Sequence, residues 1–477
     1  MRRTLLLLAA LCLAAPAGAA LPDLPELGDT SSAILSPRQE ELLGRAWLGA
    51  FRARVKTLDD PELTAYLEEL LGELKGPAGL GESELTLVLV NNPALNAFAV
   101  PGGVVGVHTG LFRYAEDEDE LAAVLAHELA HLRQRHFARR LEAGRANAVT
   151  ALAGMLAGLV LAATVGGDAG MAAITMGQAA ALESNLRYSR EHEQEADRLG
   201  LEILKRTGRD PAAVPRMFER MLAATRYTGS RPPEYLLTHP LTERRLADAR
   251  ARLHALGEPP HRPHSERYAF LRARALLWLD GNLLESVRRF RAELAASGGD
   301  AARYGLALAL SGNGEHAAAA RELAPLLAAR PADLTLRLAA VELAYNRGDS
   351  REALALVESL AAEHPGYYPC ERYRAKILLR LGRTGEAQAV LERLSRARPA
   401  DPQVWFELAE TAGLAGDILG VHRARAQYFR LTGAYDEARK QLLYAKRLAA
   451  ADRRETALLE EALREVEEEA KRARELL

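Results

Sequence analysis

The segment VLAHELAH, residues 124–131, places two histidines and a glutamate where they can act on one metal ion. Side chains four residues apart share one face of an α-helix, so the imidazoles of His127 and His131 can both reach a zinc ion. Glu128 points beside that ion, where its carboxylate can take a proton from a water molecule whose pKa zinc lowers to about 7. The pattern predicts the catalytic helix of a zinc-dependent endopeptidase.

A zinc peptidase needs a third protein ligand, and the residues just after this motif do not supply one. The metzincin arrangement fails because the positions for its glycine and third histidine hold Gln134 and Phe137. His136 is one residue out of that register, and we expect it to face elsewhere. Glu142 would lie about 16 Å along a continuous helix, too far for one ion. Residues 149–156 contain no acid, which excludes a thermolysin-like spacing.

The next acidic cluster is the segment SREHEQEAD at residues 189–197. Glu193 and Asp197 would share one helix face, and Glu191 and Glu195 would share another. Spacing alone leaves both pairs open as the source of the third ligand. A run of this kind is also commonly a solvated charged face.

The elements around these motifs predict a small sheet among helices. Residues 37–75 favour two amphipathic helices, residues 116–143 one long helix and residues 187–200 a second charged helix. Three β-rich runs, separated in part by the turn Pro101-Gly102-Gly103, lie at 85–90, 98–100 and 104–107.

The first twenty residues have the pattern of a signal peptide. Arg2 and Arg3 precede an apolar run at 5–15, which is too short to span a bilayer, and small residues follow at 17–19. We therefore expect export. Once this segment is removed, Cys370 is the remaining cysteine, so no internal disulfide is expected. The net charge of −2 gives no basic excess to indicate nucleic acid as the main partner.

A long apolar segment separates the histidine motif at 124–131 from the acidic cluster at 189–197. Residues 148–165 are apolar or small throughout, and a second apolar stretch follows to residue 182. The run at 148–165 is barely as long as a membrane-spanning helix needs to be. The pattern favours a helical hairpin that packs on the protein or covers its cleft, with peripheral membrane contact and a true span as alternatives.

The C-terminal half is helical and periodic. A proline and a glycine each recur at 34-residue intervals: Pro331, Pro365 and Pro399, and Gly348, Gly382 and Gly416. This period is typical of tetratricopeptide repeats, which stack into a solenoid suited to binding peptides or partners. An unrelated helical bundle is the alternative. Residues 400–448 are degenerate, so the outer copies are less well defined.

The segments HELAH, SREHEQEADRLG and THPLTERRL resemble those of the HtpX-type metallopeptidases, a family that includes CAAX prenyl proteases. The resemblance implies a mostly α, gluzincin-like α+β domain with a small sheet, followed here by an all-α repeat solenoid. It implies one Zn²⁺ per chain, with Glu193 as third ligand and Asp197 orienting a zinc histidine. We place the signal peptide at 1–20, the peptidase domain at 21–262 and the repeat domain at 263–477.

The resemblance also covers a strand next to the cleft. Its residues match the sheet edge of the family: Asn96, Ala97, Phe98, Ala99 and Val100. In the family such an edge is expected to pair with an extended substrate backbone by strand addition.

The order of parts resembles a group of periplasmic proteases in outer-membrane protein quality control. In that group a loop histidine can occupy the fourth zinc position and restrain activity, which implies this role for His239 in the loop at 229–246, with Arg245 as the arginine that follows it. The implied partners are unfolded or misassembled polypeptides and the outer-membrane assembly machinery, recruited by the repeats.

One rival is a chaperone-like binding protein in which the repeats hold substrates and protease activity is restrained or vestigial. The intact motif argues against it. We expect His108 and His192, which also lie near the motifs, to be structural or solvent-facing.

Overall fold

The computed structural model describes residues 35–143, 190–227, 233–256 and 264–476. The predicted signal peptide and the apolar segment at 148–182 lie outside these ranges. Among the described residues, no helix has the length and apolar character needed to cross a membrane.

Two capped helices open the described chain. Helix α1 spans Pro37–Arg52, and Ser36 and Gln39 cap it reciprocally. Helix α2 spans Pro61–Lys75, where the Asp60 carboxylate accepts hydrogen bonds from the first turn. Both predicted helices are confirmed.

The three predicted β runs form one sheet, each within one residue of its predicted bounds. Strands β1 (Thr86–Val90), β2 (Ala97–Val100) and β3 (Val104–His108) lie in the order β1-β3-β2. β1 pairs with β3 in parallel, and β2 pairs with β3 antiparallel through a turn. Gly102 and Gly103 in that turn have φ values of 83° and 81°, which favour glycine. In the described part of the chain β2 is therefore an edge strand.

The prediction of one long helix over 116–143 is wrong. After the short α3 (Leu111–Tyr114), helix α4 spans Glu118–Arg133 and α5 spans His136–Ala143. The break lies at Arg135, a non-glycine residue with a left-handed φ of 48°. Its guanidinium donates hydrogen bonds to Glu40 and to the carbonyl of Leu35. Contacts from outside the helix therefore hold a conformation that local sequence does not signal.

Helix α4 lies in the centre of the N-terminal core. Its residues Leu121, Leu125 and Leu129 are fully buried. Helix α6 (Arg190–Arg206) packs along it. The close approach uses Gly200, where an added Cβ would lie 3.5 Å from the backbone nitrogen of His127.

Three further helices follow α6 among the described residues of this half. They are α7 (Ala213–Tyr227), the short α8 (Glu234–Thr238) and α9 (Glu243–Leu256). Helix α8 lies within the segment that the sequence analysis treats as a loop.

Antiparallel helix pairs fill the C-terminal half, as the 34-residue period predicts. The pairs begin with α10 (Glu266–Leu277), α11 (Leu283–Ser297), α12 (Asp300–Gly312), α13 (His316–Ala329), α14 (Leu334–Arg347) and α15 (Ser350–Glu363). They continue with α16 (Tyr368–Arg380), α17 (Thr384–Ala397), α18 (Pro402–Ala415), α19 (Ile418–Leu431), α20 (Tyr435–Leu448) and α21 (Arg453–Leu476). The stretch at 400–448, where the sequence repeat is degenerate, thus forms three regular helices in the structure, α18, α19 and α20.

Ion pairs, one buried and one partly buried, join helix α2 of the N-terminal half to the repeats. The guanidinium of Arg274 donates to Asp60 at 2.8 Å and to Glu342 at 2.8 Å, and it is 6% exposed. Arg398 makes a two-armed contact with Glu68 at 2.6 and 2.8 Å. The two halves therefore pack as one body along this helix.

Helix α1 also contacts the repeats, at their far end. It packs against α19 and α21. A Cβ placed on Gly433, whose φ is 72°, would lie 2.7 Å from the backbone of Gly49, so this approach is close enough to require glycine.

Candidate metal centre

Two imidazoles of α4 face one point, as the i,i+4 spacing predicts. The Nε2 atoms of His127 and His131 lie 3.0 Å apart, and each residue is 5% exposed. Because α4 is buried among apolar neighbours, both rings are withdrawn from bulk water.

The carboxylate of Glu193 reaches the same point from α6. Its Oε2 lies 3.5 Å from Nε2 of His127, and its Oε1 lies 3.5 Å from Nε2 of His131. Of the acids that spacing left open, Glu191 is exposed on the other side of the helix. Packing of α6 on α4 thus brings Glu193 to the histidines, in agreement with the resemblance.

His239 comes from the residue after α8. Its Nδ1 lies 3.4 Å from Nε2 of His127 and 3.2 Å from Oε1 of Glu193. The ring stacks on Tyr235 with centroids 4.7 Å apart, and the His239 backbone N–H donates to the Tyr235 carbonyl. Helix α8 therefore fixes the direction of this side chain.

These four side chains could hold a metal ion. One ligand atom from each of His127, His131, Glu193 and His239 lies within 4.8 Å of the others, and all four residues are buried. Three imidazole nitrogens and one carboxylate oxygen are donors that suit zinc. Beside them, Glu128 is 1% exposed, and its Oε1 has no hydrogen-bond partner among the described residues. A buried acceptor without a donor is costly unless something in the site uses it, so the residues fit a metal peptidase centre.

Asp197 and Arg245 hold His127 from behind. Oδ1 of Asp197 lies 3.0 Å from Nδ1 of His127, which turns Nε2 of that ring toward the cluster. Arg245 donates to both Asp197 oxygens at 2.7 Å, and it lies 3.0 Å from Glu193. Arg245 is thus placed to orient the acids of the site.

The buried charges shift one another strongly. Although burial lowers it, hydrogen bonds with Asp197 and Glu193 raise the pKa of His127 to about 9. Burial lowers the pKa of His131 well below its usual value. Burial opposes ionisation of Glu193, yet the adjacent His239 and His127 lower its pKa well below 4.5. Burial raises the pKa of Glu128. The pKa of Glu193 is thus lowered and the pKa of Glu128 is raised, although both carboxyls are buried to a similar extent.

The contacts of His136 and Glu195 were not predicted from the sequence. His136 does not join the metal-facing cluster, but it does not face away either, because its Nδ1 lies 2.8 Å from Nδ1 of His131. Its Nε2 lies 3.2 Å from Glu195. His192 stacks on His136 with ring centroids 4.4 Å apart. The only signal in the sequence was the clustering of these residues near the two motifs.

One residue of the edge strand β2 lines the same cavity as His131. A cavity of about 860 Å³ is lined by Ala99 of β2, by His131, by Arg135 and Phe137, and by Arg472 of the last helix. Asn96, just before the strand, approaches Glu234 of α8 with its side-chain amide at 3.5 Å. Of the five residues of the predicted substrate edge, Ala99 thus lines the same cavity as His131, and β2 packs against α4.

Comparisons with known proteins agree with this geometry. Residues 60–253 match the family model described as peptidase family M48, and residues 344–409 match a tetratricopeptide repeat model. The β-barrel assembly-enhancing protease of Escherichia coli (strain K12) is 34% identical over 441 residues, which is 89% of this chain and 87% of that protein. The chain belongs to peptidase family M48.

Two further relatives are also named as proteases or peptidases. The β-barrel assembly-enhancing protease of Yersinia pestis is 33% identical over 87% of this chain and 85% of that protein. The mitochondrial metalloendopeptidase OMA1 of Schizosaccharomyces pombe is 32% identical over 38% of this chain and 51% of that protein. The predictions of a metallopeptidase and of C-terminal tetratricopeptide repeats are confirmed.

Proposed function

We propose that this M48 peptidase is an exported, zinc-dependent endopeptidase that cleaves extended segments of unfolded or misassembled envelope proteins. It binds one Zn²⁺ per chain through His127, His131 and Glu193. The observation that carries the proposal is the meeting of these three side chains from two helices, with Glu128 beside them.

Zinc held there would polarise the scissile carbonyl and make water a stronger nucleophile near neutral pH. Glu128 takes the proton of the attacking water and later delivers it to the leaving amine. Burial raises the pKa of Glu128, which favours the protonated form that it needs in order to donate to the leaving amine. Asp197 and Arg245 keep His127 and Glu193 oriented during these steps.

Substrate enters as an added strand. β2 is a sheet edge beside the cleft, so an extended backbone can pair with Ala97–Val100 and pass the histidines. Folded proteins cannot offer such a segment, which restricts cleavage to unfolded or unassembled chains.

His239 restrains the enzyme in the described conformation. Its ring lies between Glu193, at 3.2 Å, and Glu128, whose Oε1 lies 3.6 Å from Nε2 of His239. A substrate carbonyl needs the same space, so α8 has to move before cleavage begins.

The place of action follows the relatives that carry the name β-barrel assembly-enhancing protease. We place this chain in the periplasm of a Gram-negative bacterium, reached by the signal peptide at 1–20. The repeats recruit substrates or components of the outer-membrane assembly machinery.

Metal analysis tests the site. Purified mature protein should contain one zinc per chain, and Glu193→Ala should lose most of it. Glu191→Ala, which removes an exposed carboxylate from the same helix, is the matched control and should keep its zinc. Equal zinc content in both variants would overturn the ligand set.

Glu128→Gln separates cleavage from binding. With an unfolded outer-membrane protein as substrate, this variant should retain zinc and lose about 10²–10⁴-fold in hydrolysis rate. If clearance of the substrate in cells persists in the variant, holding by the repeats rather than cleavage is the function.

A further inference from the structure

We propose that His136 and Glu195 form a relay that positions the metal ligand His131, in the way that Asp197 positions His127. The proposal rests on the proposed metal site and adds two residues to it. It assigns His136 as the hydrogen-bond acceptor of His131 and Glu195 as the carboxylate that orients His136.

The hydrogen bonds of the relay share one donor-to-acceptor order, from His131 through His136 to Glu195. Nε2 of His131 faces the cluster, 3.0 Å from Nε2 of His127, so Nδ1 of His131 carries the proton. That Nδ1–H donates to Nδ1 of His136 at 2.8 Å. His136 then has its proton on Nε2, which donates to Glu195 at 3.2 Å. Each ring therefore has one tautomer that satisfies all of its contacts.

His136 is held firmly enough to serve this role. It is fully buried. Its ring lies face to face with His192, with an interplanar angle of 14°, and at 72° to His131. Arg139 donates to Glu195 at 3.0 Å and so fixes the far end of the relay.

The break between α4 and α5 at Arg135 places His136 behind His131. On a straight helix, a residue five positions after His131 would project from a different face. The left-handed φ of 48° at Arg135 turns the chain back, so that α5 begins with His136 directly behind His131. A non-glycine residue in that conformation is strained, and it lies at the border of the site, where backbone strain commonly serves function.

The two metal histidines thus have parallel supports. His127 donates directly to Asp197, which Arg245 holds, whereas His131 reaches Glu195 through His136, and Arg139 holds Glu195. Glu193, Glu195 and Asp197 all come from α6, so one helix supplies the ligand and both supporting carboxylates.

An isosteric pair of variants tests the relay. His136→Asn keeps an acceptor near the position of Nδ1, whereas His136→Leu has the same shape without one. We expect His136→Leu to bind zinc about 10- to 100-fold more weakly than the parent in a chelator competition. His136→Asn should stay within a few-fold of the parent. The metal-free forms of both variants should unfold at similar temperatures.

The far end has its own matched pair. Glu195→Gln should weaken zinc binding, and it should add little when combined with His136→Leu, because both act through one chain of contacts. Glu191→Gln, the same change at an exposed position of α6, should bind zinc as the parent does.

Two results would overturn the relay. One is zinc binding by His136→Leu that equals the parent's. The other is an equal loss in the Asn and Leu variants, which would make His136 a packing residue alone. Failure of the parent to bind zinc would instead remove the proposed function, and the relay with it.

Discussion

Arg245 grips Asp197 with two parallel hydrogen bonds, its Nε and Nη2 each lying 2.7 Å from one carboxylate oxygen. The pair is buried, and Asp197 in turn contacts the ring of His127. Two-armed arginine contacts fix orientation as well as charge. The orientation of His127 therefore depends on a residue 118 positions later in the sequence.

Replacing Arg245 by lysine tests this dependence. Lysine keeps the charge but cannot donate two parallel hydrogen bonds, so Arg245→Lys should weaken zinc binding by about 10-fold or more. Zinc titration against a chelator measures the change. Arg244→Lys makes the same substitution at the exposed neighbouring residue and should leave zinc affinity unaltered. A parental affinity in Arg245→Lys would show that charge alone is sufficient.

Removing His239 should release the enzyme. Three protein ligands suffice for a catalytic zinc site, so His239→Ala should retain zinc and cleave an unfolded substrate several-fold faster than the parent. His254→Ala, at an exposed position of α9, is the control for loss of a histidine. Slower cleavage by a fully zinc-loaded His239→Ala protein would mean that His239 takes part in catalysis instead.

We expect the raised pKa of Glu62 to make the free energy of unfolding decrease as the pH rises. Burial, only partly offset by Arg274, raises its pKa in the folded protein from the usual 4.5 to about 8. Between these values the unfolded chain has released a proton that the folded protein retains, so the free energy of unfolding decreases by about 1.4 kcal/mol per pH unit from this group. Glu62→Gln should remove that slope.

Denaturant titrations at pH 5, 6, 7 and 8 measure the Glu62 effect as the difference between parent and variant. Glu82→Gln, at an exposed position, should follow the parent at every pH. A parent and a Glu62→Gln variant with the same pH dependence would contradict the prediction.

Arg274→Met should destabilise the protein. It would leave the buried Asp60 and the half-buried Glu342 without their cation, and breaking a buried ion pair costs about 3–5 kcal/mol. Urea unfolding followed by tryptophan fluorescence measures the loss, since the indole N–H of Trp278 donates to Asp60 at 3.0 Å. Arg288→Met, an exposed change of the same kind, should cost little. A loss no larger than that of Arg288→Met would show that these charges are not energetically coupled.

Local periodicity was enough to predict part of the site. His127 and His131 meet because the helical repeat alone puts them on one face. The 34-residue period likewise predicted the paired helices of the repeats. Glu193 needed more, because the choice between it and Glu191 depends on how α6 packs on α4, a tertiary contact that spacing does not encode.

The features that were missed depend on distant contacts. The left-handed Arg135 has no glycine to announce it, since Glu40, 95 residues earlier, helps to hold it. The sequence therefore placed His136 one residue out of the metzincin register, whereas the turn at Arg135 places it behind His131. Similarly, nothing within a repeat indicates that Arg398 pairs with Glu68, 330 residues away.

The contact of α1 with the final helices has a consequence for the order of biosynthesis. Gly49 meets Gly433, and Arg472 of the last helix contributes to the rim of the cleft. A nascent chain leaving the ribosome or a translocation channel cannot make either contact until its C-terminal region has emerged. These two contacts, and with them this part of the cleft rim, are therefore completed only after the C-terminal helices have been made.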